Sequence, residues 1–199
     1  MLTGGIVKRR GQMEMKPGHD ERPARQRILD VAISRFSCQT FSEVSLRDIA
    51  RDAQVDVAYV HRAFGSKVGL FRQALEAGFD FDAVFAEPVT REGVIRRLCE
   101  QMTARNPRTN GEAGPIDLVL RSCTNAETRD ILRELSIARF HEPMIAKFGG
   151  EMTMRVMLAI SLLFGTVTQR NALGIEPLAS TPDEELRAAV YDAMMRLLA

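Results

Sequence analysis

The stretch SLRDIARDAQVDVAYVHRAFGSK, Ser45–Lys67, decides how this chain is read. It holds two short helical patterns joined by a tight turn, each too short to persist alone in water. Ser45 fits an N-cap, with Asp48 three residues on completing a capping box, and Leu46, Ile49, Ala50 and Ala53 form the buried face. Asp56 caps the next helix, whose inward residues are Val60 and Phe64, and Gly65 suits a left-handed end. Ala50 is small where two helices must cross closely, and Gln54 and Val55 fall in the turn. This is helix-turn-helix spacing. In such a unit one helix braces against the sugar-phosphate backbone while the start of the other enters the major groove. The DNA-contact candidates are then Ser45 and Arg47 on the bracing helix, and Val57, Ala58, Tyr59, His61 and Arg62 on the reading helix. Arg62 can make paired bonds to guanine or bond a phosphate, Tyr59 and His61 can donate to phosphate, and Val57 and Ala58 can meet thymine methyls. Lys67 and the amides that open the following helix would hold a further phosphate. The same corner also serves plain packing in helical proteins, so spacing alone leaves both uses open.

Outward from this stretch almost every pattern is helical, and the sequence predicts an all-α fold. Pro23 opens a first helix, with Ile28, Leu29, Ala32, Ile33 and Phe36 at helical spacing, ending near Gln39. Ser66 caps a fourth through Leu70, Phe71, Ala74, Leu75 and Ala77. Beyond Pro88, Val94, Ile95, Leu98 and Met102 mark a fifth; ARNPRTNGEAGP, residues 104–115, reads as a polar loop; and Pro115 opens a short sixth. Thr124 with Glu127 is expected to cap a seventh that runs through Ile131, Leu132, Leu135, Ala138 and Ile145 to Gly149 and Gly150. An eighth spans about Glu151 to Ala172, and Thr181, Pro182 and Glu184 form a capping box for a ninth. The expected organisation is a flexible tail at 1–20, a three-helix helix-turn-helix domain at 21–67, and a C-terminal helical ligand-binding and dimerisation domain at 68–199.

Composition narrows the function. The net charge is only +1, yet residues 1–67 carry twelve Lys/Arg against eight Asp/Glu while residues 68–199 carry fifteen against eighteen. The basic end is the one holding the helix-turn-helix pattern. Cys38, Cys99 and Cys123 are odd in number and far apart, which argues for reduced thiols rather than a disulfide framework or a CxxC metal site. His19, His61 and His141 make no metal-binding pair, and no phosphate loop or nucleophile motif is present, so no catalysis, metal or cofactor is expected. VMLAISLLFGTV, Val156–Val167, is too short to span a bilayer, and the N-terminal residues have no continuous apolar core; the expected location is cytoplasmic, with no membrane partner.

The run RILDVAISRFSCQTFSEVSLRDIARDAQVDVAYVHRAFGSKVGLFRQAL, Arg27–Leu75, resembles the DNA-binding region of the TetR family of transcriptional repressors. The most specific pieces are RILDVAISRF, VSLRDIA and FGSK, and LLFGTVTQRNALGIEPLAS is similar to a segment common in one branch of that family. The resemblance implies a homodimer that binds a palindromic double-stranded DNA operator and is released by a small-molecule effector whose identity the sequence does not name. The sequence departs from the pattern at Gln54, where glycine is usual; at Asp56, where serine is common; at His61, where tyrosine is usual; and at Val68, where an acidic residue often completes a cap.

The C-terminal half supports association. The eighth helix is apolar nearly all round, which a monomer's surface helix should not be. Val156, Ile160, Leu163 and Val167 on it, with Leu186, Val190, Ala193, Met194 and Leu197 on the ninth, are the candidate dimer interface, as a four-helix arrangement. A wholly intramolecular core is the alternative. The candidate effector pocket has walls of Met102, Leu118, Cys123, Phe140 and Phe164, with Arg121 and Arg139 as polar anchors. An architectural or partner-controlled DNA-binding dimer without an inducer is the rival reading.

Overall fold

The computed structural model describes residues 22–103 and 115–199, and the regular structure among them is helical throughout. The expected tail and nearly all of the polar loop at 104–115 lie outside the described residues. Helix α1 (Ala24–Cys38) packs on α2 (Leu46–Asp52), and α2 in turn on α3 (Val57–Phe64), with α4 (Lys67–Gly78) closing the group against α1 and α3. The buried phenyl rings of Phe36, Phe41 and Phe71 meet edge-on and stacked at 5.2–5.8 Å and hold α1, the α1–α2 connection and α4 together. Arg27 donates to the Ala53 carbonyl at the end of α2 at 3.1 Å, and Arg35 pairs with Asp52 at 2.5 Å, so α1 anchors the far end of the bracing helix.

The second half is built on α6 (Arg91–Thr103), α7 (Pro115–Ser122), α8 (Ala126–Ser136), α9 (Glu142–Phe148), α10 (Thr153–Val167) and α11 (Asp183–Leu198). Helices α6, α10 and α11 pack on one another, and α7 lies against α1. Among the described residues the apolar core is continuous from Ile28 to Leu198.

Several local expectations are corrected. A short helix, α5 (Phe81–Phe85), stands where none was expected; Asp80 caps it through the Ala83 amide, and five residues are too few to show periodicity. Asn125, not Thr124, caps α8, accepting from the Glu127 amide at 2.9 Å. The expected seventh helix is α8, a π-helical turn (Ile137–His141) and α9, the wide turn falling just before Pro143 at the start of α9. The capping box at Thr181 does not form. Thr181 gives its hydroxyl to the Pro177 carbonyl, and its own carbonyl and the Asp183 carboxylate accept from the buried Arg170 at 2.9 and 2.5 Å. Helix α10 extends through a 3₁₀ turn before it and a π turn after it, making a helical run of 23 residues, 150–172, with a window of mean hydropathy 1.3. That run is long and apolar enough to cross a bilayer by length and composition, unlike the twelve-residue core judged from sequence; its packing on α6, α9 and α11 accounts for one face of it.

Candidate nucleic-acid interface and effector cavity

Capping shapes the α2–α3 corner. The Ser45 hydroxyl accepts from the Asp48 amide at 3.1 Å and donates to the Asp48 carboxylate at 2.6 Å, a bond that holds the Asp48 carboxyl below the usual range. Asp56 accepts from the Ala58 amide at 2.6 Å and starts α3. Between them, the Val55 amide donates back to Ala50 at 2.9 Å, and Gln54 takes φ +53°, the left-handed turn conformation that glycine adopts most easily. At the other end of α3, Gly65 has φ +75° and Ser66 caps α4 through the Gly69 amide. A Cβ on Gly69 would stand 2.4 Å from the Phe64 carbonyl, so this crossing requires glycine.

Val60 and Phe64 are buried, and α3 turns Ala58, Tyr59, His61 and Arg62 outward. The Arg62 guanidinium lies 5.9 Å from the Tyr59 ring centroid, on the same outer surface. His61 donates through Nδ1 to the Gly65 carbonyl at 3.3 Å. Arg47 is exposed on α2. Three expected contacts are placed differently. Val57 is half-buried against the core, the Ser45 hydroxyl is spent on its cap, and Lys67 is folded back. Its Nζ sits 4.4 Å over the Phe41 ring and donates to the Ser42 carbonyl at 3.4 Å, and burial lowers its pKa. Arg25, which the sequence reading passed over, braces the end of α3 by donating to the Ala63 carbonyl at 3.2 Å and lying 4.6 Å over the Phe64 ring. Only the fold could show that partner, 38 residues away.

A cavity opens where the two halves meet. Leu75 and Phe79 from the end of α4, Phe81 from α5 and Met102 from α6 line one side. Val119 from α7, Leu135 and Ser136 from α8, Phe140 from the π turn and Phe164 from α10 line the other. The open space admits a water-sized sphere over only about 20 Å³. Of the residues expected to form an effector pocket, Met102, Phe140 and Phe164 are among its lining. Leu118, Arg121, Cys123 and Arg139 are not, and the reasons are local. Leu118 turns into the core one position from Val119. Arg121 is exposed and donates to the Ser37 carbonyl of α1 at 2.8 Å; Cys123 is exposed; Arg139 reaches Asp82 at 3.3 Å outside. The missed wall residues had one visible signal, the aromatic cluster at Phe79, Phe81 and Phe85.

Polar joints tie this region to the DNA-facing helices. Arg72 of α4 donates twice to Glu134 of α8, at 3.0 and 2.9 Å, and this pairing raises the Arg72 pKa and lowers that of Glu134. Asn125 donates to the Ser42 hydroxyl at 3.2 Å.

Most residues of the expected dimer stripes pack inside the subunit. Val156, Ile160, Leu163, Val167, Leu186, Val190 and Met194 are buried within the subunit, where α10 packs on α11, and Ala193 and Leu197 are half-buried. The apolar surface left open on α10 is Met154, Met157 and Leu158, with Leu173 and Ile175 beyond its end.

The helix-turn-helix pattern has an independent match, since the family model described as bacterial regulatory proteins, tetR family, covers residues 28–74. A second, described as the tetracyclin repressor-like C-terminal domain, covers residues 92–198. The chain belongs to the TetR family. It is a transcription regulator with a DNA-binding helix-turn-helix, as members of that family are. A TetR-family regulator from Streptomyces coelicolor A3 is 26% identical, with a TM-score of 0.59 over 90% of this chain and 99% of that one. A TetR-family transcriptional regulator from a Rhodococcus species shares the fold at 14% identity and a TM-score of 0.67, over 88% of this chain and 98% of the other. NalD of Pseudomonas aeruginosa, the secondary repressor of the MexAB-OprM multidrug efflux pump, shares it at 18% identity and 0.63, over 87% and 95%. No curated protein sequence matches the chain.

Proposed function

We propose that this TetR-family regulator is a repressor that binds a near-palindromic operator as a homodimer and is released by a small molecule, acting in the cytoplasm where its DNA is. The observation that carries the reading is the outer surface of α3, where Ala58, Tyr59, His61 and Arg62 face solvent on a corner otherwise fully capped and packed. One short helix reads too few bases for useful specificity, and a two-fold pair of them reads two half-sites. The open apolar surface at Met154, Met157 and Leu158 supplies a face for that pairing. The partner-controlled alternative draws on one observation: the cavity is nearly filled by its own side chains. Selection of bound duplexes from a random pool by the full-length protein tests the reading. A two-fold motif is expected. Enrichment of nothing over the starting pool ends the operator reading, and a motif bound equally with every small molecule tried favours the partner-controlled form.

A further inference from the structure

We infer that the effector is an uncharged, planar aromatic molecule of one or two rings, held among the phenyl rings of the cavity between α4, α8 and α10. The inference rests on that cavity being the effector site. Phe79 and Phe81 stack at 5.3 Å, Phe81 and Phe140 are tilted at 6.1 Å, and Phe140 and Phe164 are tilted at 6.4 Å. These rings form a continuous aromatic line along the cavity, at the separations where ring pairs attract by edge and offset contact. Met102 adds a polarisable thioether, which favours a ring edge and adapts its shape. Among the described residues that line the cavity none is ionisable, and Ser136 supplies the one hydroxyl.

Arg139, Arg72 and His141 beside the cavity are engaged with other partners. Arg139 is paired with Asp82, Arg72 with Glu134, and His141 donates through Nδ1 to the Ser136 carbonyl at 2.8 Å. A charged ligand would therefore lose its water and gain no counter-ion from the described wall. The void is smaller than a ring, so a ring must push the wall apart, and Phe81, Val119, Ser136 and Phe164 are the half-buried wall residues with free surface to move into. Because α4 and α8 both contribute wall residues, that widening loads the Arg72–Glu134 joint one turn or less away.

Methyl-labelled methionine NMR on the full-length protein tests this, with three bicyclic probes of one size: β-naphthol (neutral), β-naphthoate (anionic) and N-methylquinolinium (cationic). The Met102 signal is assigned by Met102→Leu. The aromatic ring current of β-naphthol is expected to shift Met102 saturably, with the two charged probes at least about tenfold weaker. Either charged probe matching β-naphthol overturns the inference, as does a β-naphthol response confined to Met154 and Met157 on the open surface. Val119→Phe, which fills the cavity, is expected to remove the Met102 response; should it not fold, the wild-type comparison stands by itself. Duplex binding is measured separately. β-Naphthol bound at Met102 without loss of operator binding upholds the ligand class and counts against the release mechanism, and absence of any operator counts against the repressor reading alone.

Discussion

Arg62 and Gln54 show how much one side chain carries here. Arg62 is exposed beside Tyr59 on the outer face of α3, so Arg62→Ala is expected to weaken specific binding by about 1–3 kcal/mol and relax preference at one position in each half-site, read by binding to single-base operator variants. Gln54 is held at φ +53°, which costs a residue with a Cβ about 1 kcal/mol more than glycine. Gln54→Gly is expected to raise Tm by roughly 1–4 °C, with unchanged helicity by circular dichroism. An unchanged or lower Tm would mean that the added freedom of the unfolded chain cancels the relief. Cys99 is fully buried against Met194, Sγ to Sδ 3.7 Å, and burial pushes its thiol up to about 12. A thiol reagent is expected to modify the exposed Cys38 and Cys123 in the native protein and Cys99 only after denaturation. Since the folded value is the raised one, the Cys99 contribution to stability is intact below the ordinary thiol range and declines as pH climbs from about 9 towards about 12.

At the scale of elements, α10 and α11 separate folding from association. Met194 is fully buried inside the subunit, whereas Leu158 is 52% exposed on the outer face of α10. Met194→Asp buries an unpaired charge and is expected to cost several kcal/mol of stability. Leu158→Asp is expected to leave the subunit folded while shifting light-scattering mass from dimer to monomer. A wild-type protein that is monomeric at micromolar concentration would remove the proposed dimer. Periodicity alone placed the expected interface on the stripe that the subunit itself buries. Both faces of α10 are apolar, so a hydrophobic pattern cannot say which one the subunit's own α11 covers.

For the whole molecule the question is how the cavity reaches the DNA. Helix α4 packs against α1 and α3 at one end and lines the cavity at the other, through Leu75 and Phe79. Arg72–Glu134, Arg121 to Ser37 and Asn125 to Ser42 cross the same seam. A ligand that releases the operator must bind less tightly when operator is present, by the same factor that it weakens operator binding. Calorimetric titration of β-naphthol with and without saturating operator is expected to show that loss. Equal affinities would identify a bound compound that is no inducer.

The local elements were legible because their causes are local. Ser45, Asp56 and Ser66 cap helices wherever the chain puts them, Val60 and Phe64 mark the inner face of α3 by spacing, and Arg62 and His61 therefore had to face outward. The all-helical fold, the helix-turn-helix corner and the family resemblance follow from such short-range signals. What lay at a distance did not. The cavity gathers residues from Leu75 to Phe164, and its membership turns on a one-residue difference between Leu118 and Val119. Lys67 looked like a free phosphate ligand until Phe41 and the Ser42 carbonyl, some 25 residues earlier, were seen to hold it. Side-chain periodicity tells which face of a helix avoids water; only the packed tertiary structure decides which neighbour covers it, because apolar contact is strong but carries no address.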